Sequence, residues 1–117
     1  RINVVDAKIL VLGLSFKENC PDLRNTKVAD IVNTLAGLNA QIDVFDPWVD
    51  VDEAFSEHGI KMISAPEAGT YDAIIIAVAH RQFIEMGINK IRALGKPQSI
   101  VYDVKCMFER QSVDGRL

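Results

Sequence analysis

The amino-acid sequence predicts an α/β fold: an open, doubly wound, three-layer sandwich around a five-stranded parallel sheet in the order 3-2-1-4-5. Two observations predict it. Short, mostly β-branched runs bounded by turn residues alternate with stretches whose apolar residues recur at helical spacing. Strands joined through right-handed helical crossovers return to the same end of the sheet and pair in parallel. With 117 residues, 49% of them hydrophobic, the chain is long enough for one domain with its own core, spanning 1–117, without metal or disulfide support.

The first strand is "KILVLG" (8–13). The connection after it, "GLSFKENCPDLRNTKV" (13–28), is about twice the two to six residues usual between strand and helix, and it carries Lys17, Asp22 and Arg24. Val28, Ile31, Val32, Leu35 and Leu38 then form one apolar stripe, with Asp30, Asn33 and Thr34 opposite, which predicts the first helix. Asn25 or Thr26 supplies an acceptor for first-turn amides, and Gly37 with Asn39 supplies residue types that end helices. "QIDVFD" (41–46) is the second strand, "DEAFSEHG" a short helix closed by Gly59, and "KMIS" (61–64) the third strand. "PEAG" makes at most one turn, "DAIIIAVA" (72–79) is the fourth strand, and "RQFIEMGINKIRAL" is one or two helices broken near Gly87. "SIVYDV" (99–104) is the fifth strand.

A formal charge of -3, with Lys and Arg scattered and no interleaved aromatics, gives no electrostatic footprint for nucleic acid. No apolar run approaches the roughly 20 residues that span a bilayer, so no membrane partner is expected. Cys20 and Cys106 make neither a disulfide framework nor metal-ligand spacing, which suits the reducing cytoplasm. The start "RINVVDAK" is neither a signal peptide nor an initiator sequence, and the chain is expected to be an excised piece of a longer protein.

With the first strand central, the topological switch lies between strands one and four, and ligands bind beyond the carboxyl ends of strands at such a point. The residues there are Lys17 and Arg24 after the first strand, Asp46, Pro47 and Trp48 after the second, His80 and Arg81 after the fourth, and Lys105 after the fifth. Their cations and the amino terminus of the first helix make an anion site one reading. A surface pair of Asp22 with Arg24 beside a solvated Lys17 is the other, and composition does not separate the two. His80 reads as a helix-entry or packing residue, because nothing places a nucleophile beside it.

Asp46 stands where a dinucleotide-binding domain keeps an acid for a ribose hydroxyl. The G-x-G-x-x-G fingerprint of such a Rossmann-like domain is absent, however, since "GLSFKE" offers only Gly13. A self-standing NAD(P)-binding module and a non-catalytic scaffold stay open as alternatives to an anion-binding domain.

The stretch "GLSFKENCPDLRNTK" resembles the G-x-x-F-K-x-x-x-x-D-x-R signature opening the carboxyl-terminal domain of the UDP-glucose/GDP-mannose dehydrogenase family. "VFDPWV", "AIIIAVAHRQF" and "VYDVKCMF" are similar to that family's second, fourth and fifth strand ends, and "FKENCPD", "AVAHRQF" and "SVDGRL" resemble its UDP-N-acetylhexosamine branch. The resemblance implies NAD-dependent oxidation of a nucleotide-sugar C6 alcohol by a longer, homo-oligomeric enzyme. In it NAD and the catalytic cysteine belong to parts outside this chain, so the domain alone is expected to be inactive and without a cofactor. It also implies that Phe16, Lys17 and Lys105 reach the UDP-sugar, and that Asp22 and Arg24 lie near the diphosphate or hold the loop, with Asp46, His80 and Arg81 in support.

Overall fold

The computed structural model describes residues 4–116. Its elements are β1 (Lys8–Leu12), α1 (Val28–Gly37), β2 (Gln41–Phe45), α2 (Val51–His58), β3 (Tyr71–Ile76), α3 (Arg81–Arg92), β4 (Gly95–Asp103), a 3-10 turn (Arg110–Ser112) and β5 (Gly115–Arg116). All strand pairings are parallel, in the order β2-β1-β3-β4-β5.

The expected order is the one observed, with two differences at the edges. Segment 61–64 does not extend into a ladder. It contributes one parallel bridge, Met62 to Val44. It lies beside β2, where the predicted third strand belongs. The opposite edge gains β5, which has no periodic pattern to announce it; Gly115 there lets the backbone approach Tyr102, whose Cδ1 would be 3.0 Å from an added Cβ.

Both faces of the sheet are covered, and the central strand shows why. Along β1, Ile9 and Val11 join the core under α1 and α2 with Val28, Val32, Val44 and Ala54. Leu10 and Leu12 point the other way and join Ile74, Ile76, Phe83, Ile91 and Val101 under α3. A strand buried on both sides must be apolar at every position, as "ILVL" is. The crossovers leave β1 and β3 in opposite directions, so the switch point lies between these two strands.

Local chemistry ends each helix. The Asp50 carboxylate accepts from the Glu53 amide at the start of α2, and Gly59 closes it with φ 68°. After α1 the left-handed residue is Asn39, at φ 66°, rather than Gly37. Gly87, at φ 81° and ψ 158°, breaks α3 where the pattern predicts.

Gly13 ends β1 at φ +100°, and a Cβ on it would stand 2.6 Å from the Val78 Cβ and 2.9 Å from the Val78 nitrogen. Left-handed strain and a backbone clash combine here, so Gly13→Ala should cost about 2–5 kcal/mol of stability in urea unfolding. A loss below about 0.5 kcal/mol, the scale of an ordinary surface change, would contradict this packing.

Candidate functional site

The carboxyl end of β1 feeds a loop whose backbone turns inward onto one acid. The Gly13 amide donates to the Phe45 carbonyl at 2.8 Å. The Leu14 and Ser15 amides both donate to Asp46 Oδ2, at 2.7 and 3.0 Å. Asp46 Oδ1 accepts from the Trp48 amide at 2.8 Å, and His80 Nε2 lies 2.9 Å from Oδ2. Both side chains, Asp46 and His80, are 0% exposed.

The other ring nitrogen of His80 fixes the tautomer. The Asn19 amide donates to Nδ1 at 2.9 Å, so the ring proton sits on Nε2 and points at the carboxylate. Asn19 Oδ1 in turn accepts from the Arg81 amide at 2.8 Å. Ser15 Oγ donates to the Lys17 carbonyl at 2.9 Å and lies 3.2 Å from Nε2. Asn19 is left-handed, at φ 55°, a conformation that Asn adopts more readily than most residues. Farther along, the Phe16 amide donates to the Asp22 carbonyl at 2.7 Å, and Thr26 Oγ1 joins the Leu14 carbonyl to the Val28 amide at the start of α1. The long loop is therefore strapped to the ends of β2 and β3 at several points.

Burial alone would raise the Asp46 carboxyl. The hydrogen bonds from His80 and from the Leu14, Ser15 and Trp48 amides outweigh it and hold the group below its ordinary 3.8. They also consume the turn's amides. In a dinucleotide cradle such amides face a pyrophosphate; here they face Asp46, so Asp46 is an internal anchor rather than a partner for a ribose hydroxyl.

The outward side of the loop is different. Phe16 is 52% exposed. Lys17 and Lys105 are exposed, at the ends of β1 and β4 with β3 between them, and neither ammonium has an ion pair among the described residues. Arg24 is 81% exposed in its side chain, and its fork is bonded to Asp22 at 3.1 and 3.2 Å, raising the guanidinium and lowering the acid from their ordinary values. Arg81 lies 5.2 Å from the Trp48 ring centroid, and Trp48 Nε1 donates to Gln82 Oε1. No cluster of metal-ligating side chains occurs among the described residues, and no disulfide joins half-buried Cys20 to exposed Cys106.

Sequence reasoning gathers the ionic residues at the strand ends. It misses Ser15 and Asn19, whose partners lie 65 and 61 positions away.

Residues 10–110 match the model of the UDP-glucose/GDP-mannose dehydrogenase family, UDP binding domain. The chain is 53% identical over 117 residues to a UDP-N-acetyl-D-glucosamine 6-dehydrogenase of Pseudomonas aeruginosa, covering 100% of this chain and 28% of that protein. It is 46% identical over 116 residues to the enzyme of the same name from Salmonella typhi, covering 99% and 27%. It thus spans about a quarter of the length of these relatives. In fold it is similar to an NDP-N-acetyl-D-galactosaminuronic acid dehydrogenase from Methanosarcina mazei, with TM-score 0.78 and 19% identity over 93% of this chain and 22% of that one.

Two outcomes test the strap. His80→Ala removes one donor from a buried carboxylate and the acceptor of the Asn19 amide; it should cost about 1–3 kcal/mol and speed amide exchange at Leu14, Ser15 and Asn19. Unaltered exchange at those three amides would contradict the network. The pH dependence follows from the sign of the Asp46 shift. A depressed carboxyl contributes stability that is complete above the unfolded value of 3.8 and is lost as pH falls through the lower folded value. At raised salt, which screens the surface pairs of Asp22 with Arg24 and of Asp72 with Lys96, unfolding free energy should hold down to about pH 4 and decline below it. Asp46→Asn should flatten that decline; an acid limb of unchanged slope would contradict the assignment.

Proposed function

The chain belongs to the UDP-glucose/GDP-mannose dehydrogenase family, and from that premise we propose that it is the UDP-sugar-binding, carboxyl-terminal domain of a longer NAD-dependent 6-dehydrogenase. The substrate is a UDP-N-acetylhexosamine, whose C6 alcohol the whole enzyme oxidises to a carboxylate; the names of the two most identical relatives described above support this choice. The observation that carries the reading is the division of the loop: its amides are spent on Asp46, while the Phe16 ring and the Lys17 ammonium are left outward.

Lys17 and Lys105 hold the diphosphate through charge-assisted hydrogen bonds, for which an unpaired, flexible ammonium is suited. Phe16, next to Lys17, offers an apolar face to the nucleotide or sugar ring. Arg24 acts through Asp22 to keep the loop closed, since one edge of its fork, Nε and Nη2, is already bonded there. Asp46 and His80 keep the loop's backbone in place, and Arg81 packs on Trp48 beside it. Binding energy from the remote nucleotide then orients the sugar C6 for chemistry carried by the rest of the enzyme.

The residues present do not fit NAD. The first turn has Gly13 alone of the fingerprint glycines, and its next two amides are occupied. NAD is held by another domain of the enzyme, and this chain alone is without turnover. It works in the cytoplasm, in a homo-oligomer.

Titration of UDP into the isotope-labelled protein should shift resonances of residues 15–19 and 104–106. Lys17→Met should weaken binding about tenfold, the scale of one charge-assisted hydrogen bond. Silence towards UDP, together with NAD-dependent shifts at Gly13 to Ser15, would overturn this reading in favour of a dinucleotide module.

A further inference from the structure

The end of β4 repeats the arrangement at the end of β2 with different partners. Asp103, the last residue of β4, is 0% exposed, and its Oδ2 accepts from the Phe108 amide at 2.8 Å. The other side of the same residue is held as well: Arg116 Nη1 donates to the Phe108 carbonyl at 2.9 Å. Asp103 and Arg116 are register partners across the parallel β4–β5 pair. Two facing residues thus grip both polar groups of Phe108. Between them the backbone turns through Val104, whose amide donates to Ile76, and Cys106, at φ 55°.

We infer that this Asp103–Arg116 clamp is a positioning device for Lys105, so that the last strand of the chain sets where the diphosphate-binding ammonium stands. The inference rests on the reading of Lys105 as a diphosphate ligand. Three observations carry it. Lys105 has no ion pair of its own among the described residues, so the turn beneath it alone sets where its flexible stem starts and which region the ammonium can reach. Asp103 Oδ1 and Arg116 Nε are both buried without a hydrogen-bond partner. Burying an acid and a guanidinium with orphaned atoms is unfavourable, and a two-strand edge needs neither group in order to pair.

The third observation is that the tail is anchored independently of Arg116. Asp114 bonds both backbone groups of Val101, accepting from its amide at 2.8 Å and donating its own amide to its carbonyl at 2.9 Å. Arg92 of α3 donates to the Ser112 carbonyl and pairs with Asp114 at 3.2 Å. Val113 is buried in the core under α3. The guanidinium at 116 is therefore directed at the turn rather than needed to hold the strand.

The test compares Arg116→Ala, Arg116→Lys, Lys105→Met and the double variant R116A/K105M by UDP titration, with amide exchange at Phe108 as a second readout. Arg116→Ala should weaken UDP binding about as much as Lys105→Met, roughly five- to tenfold, accelerate exchange at Phe108 and leave the resonances of Leu10 and Ile74 in place. The double variant should bind no more weakly than Lys105→Met alone. Arg116→Lys, which can still donate once to the Phe108 carbonyl, should recover most of the loss. If Lys105→Met weakens binding and Arg116→Ala does not, the clamp is overturned and the site reading stands. If the unmodified protein ignores UDP, or Lys105→Met binds like it, the site reading fails and this proposal fails with it. Unchanged Phe108 exchange in Arg116→Ala removes the clamp whatever UDP does.

Discussion

The Asp46 carboxylate, enclosed at the end of β2, holds together the segments that leave β1, β2 and β3. It receives two amides from the loop after β1, one from its own strand end and the proton on His80 Nε2. These four donors come from the ends of three neighbouring strands, β2, β1 and β3, so a single acid ties together the carboxyl edge of the sheet. Removing a charge from water is costly, and only dense hydrogen bonding offsets it. The arrangement is strict because a partial version would be worse than an apolar one.

This anchoring alters what the α/β switch point can do. In an open parallel sheet the crevice beyond the central strands is the general ligand position, and the usual means of holding phosphate there is a glycine-rich turn with free amides. Here the switch point is kept but the loop amides face inward, and the groups left outward are the side chains of Phe16, Lys17 and Lys105. The loop between β1 and α1 is strapped to Asp46 and His80 through Leu14, Ser15 and Asn19, and between these straps it leaves the Phe16 ring and the Lys17 ammonium outward.

Much of the fold was legible because it depends on local periodicity. The uninterrupted apolar run of β1 is what burial on both faces requires, the stripe from Val28 to Leu38 is what one face of a helix requires, and Gly59 and Gly87 stand where their conformational freedom is used. The edges were less legible. A strand reduced to Met62 and a strand of two residues at Gly115 depend on which neighbour is free to pair, not on their own sequence. At the strand ends, residue types gather the ionic groups at one edge of the sheet but do not give their orientation. An Asp after the second strand suits a ribose hydroxyl facing outward or an amide cluster facing inward, and only the position of His80, 34 residues later, distinguishes them. Asn19 and Arg116 carry no local signal at all, since their meaning lies in single contacts with remote groups.

The central claim is that side chains hold the diphosphate while Asp46 keeps the loop amides. A crystal structure of the protein with UDP tests it most directly. The account predicts diphosphate oxygens within hydrogen-bond distance of the Lys17 and Lys105 ammoniums, with the Leu14 and Ser15 amides still on Asp46. A diphosphate seated on those two amides, with Asp46 displaced from them, would contradict it.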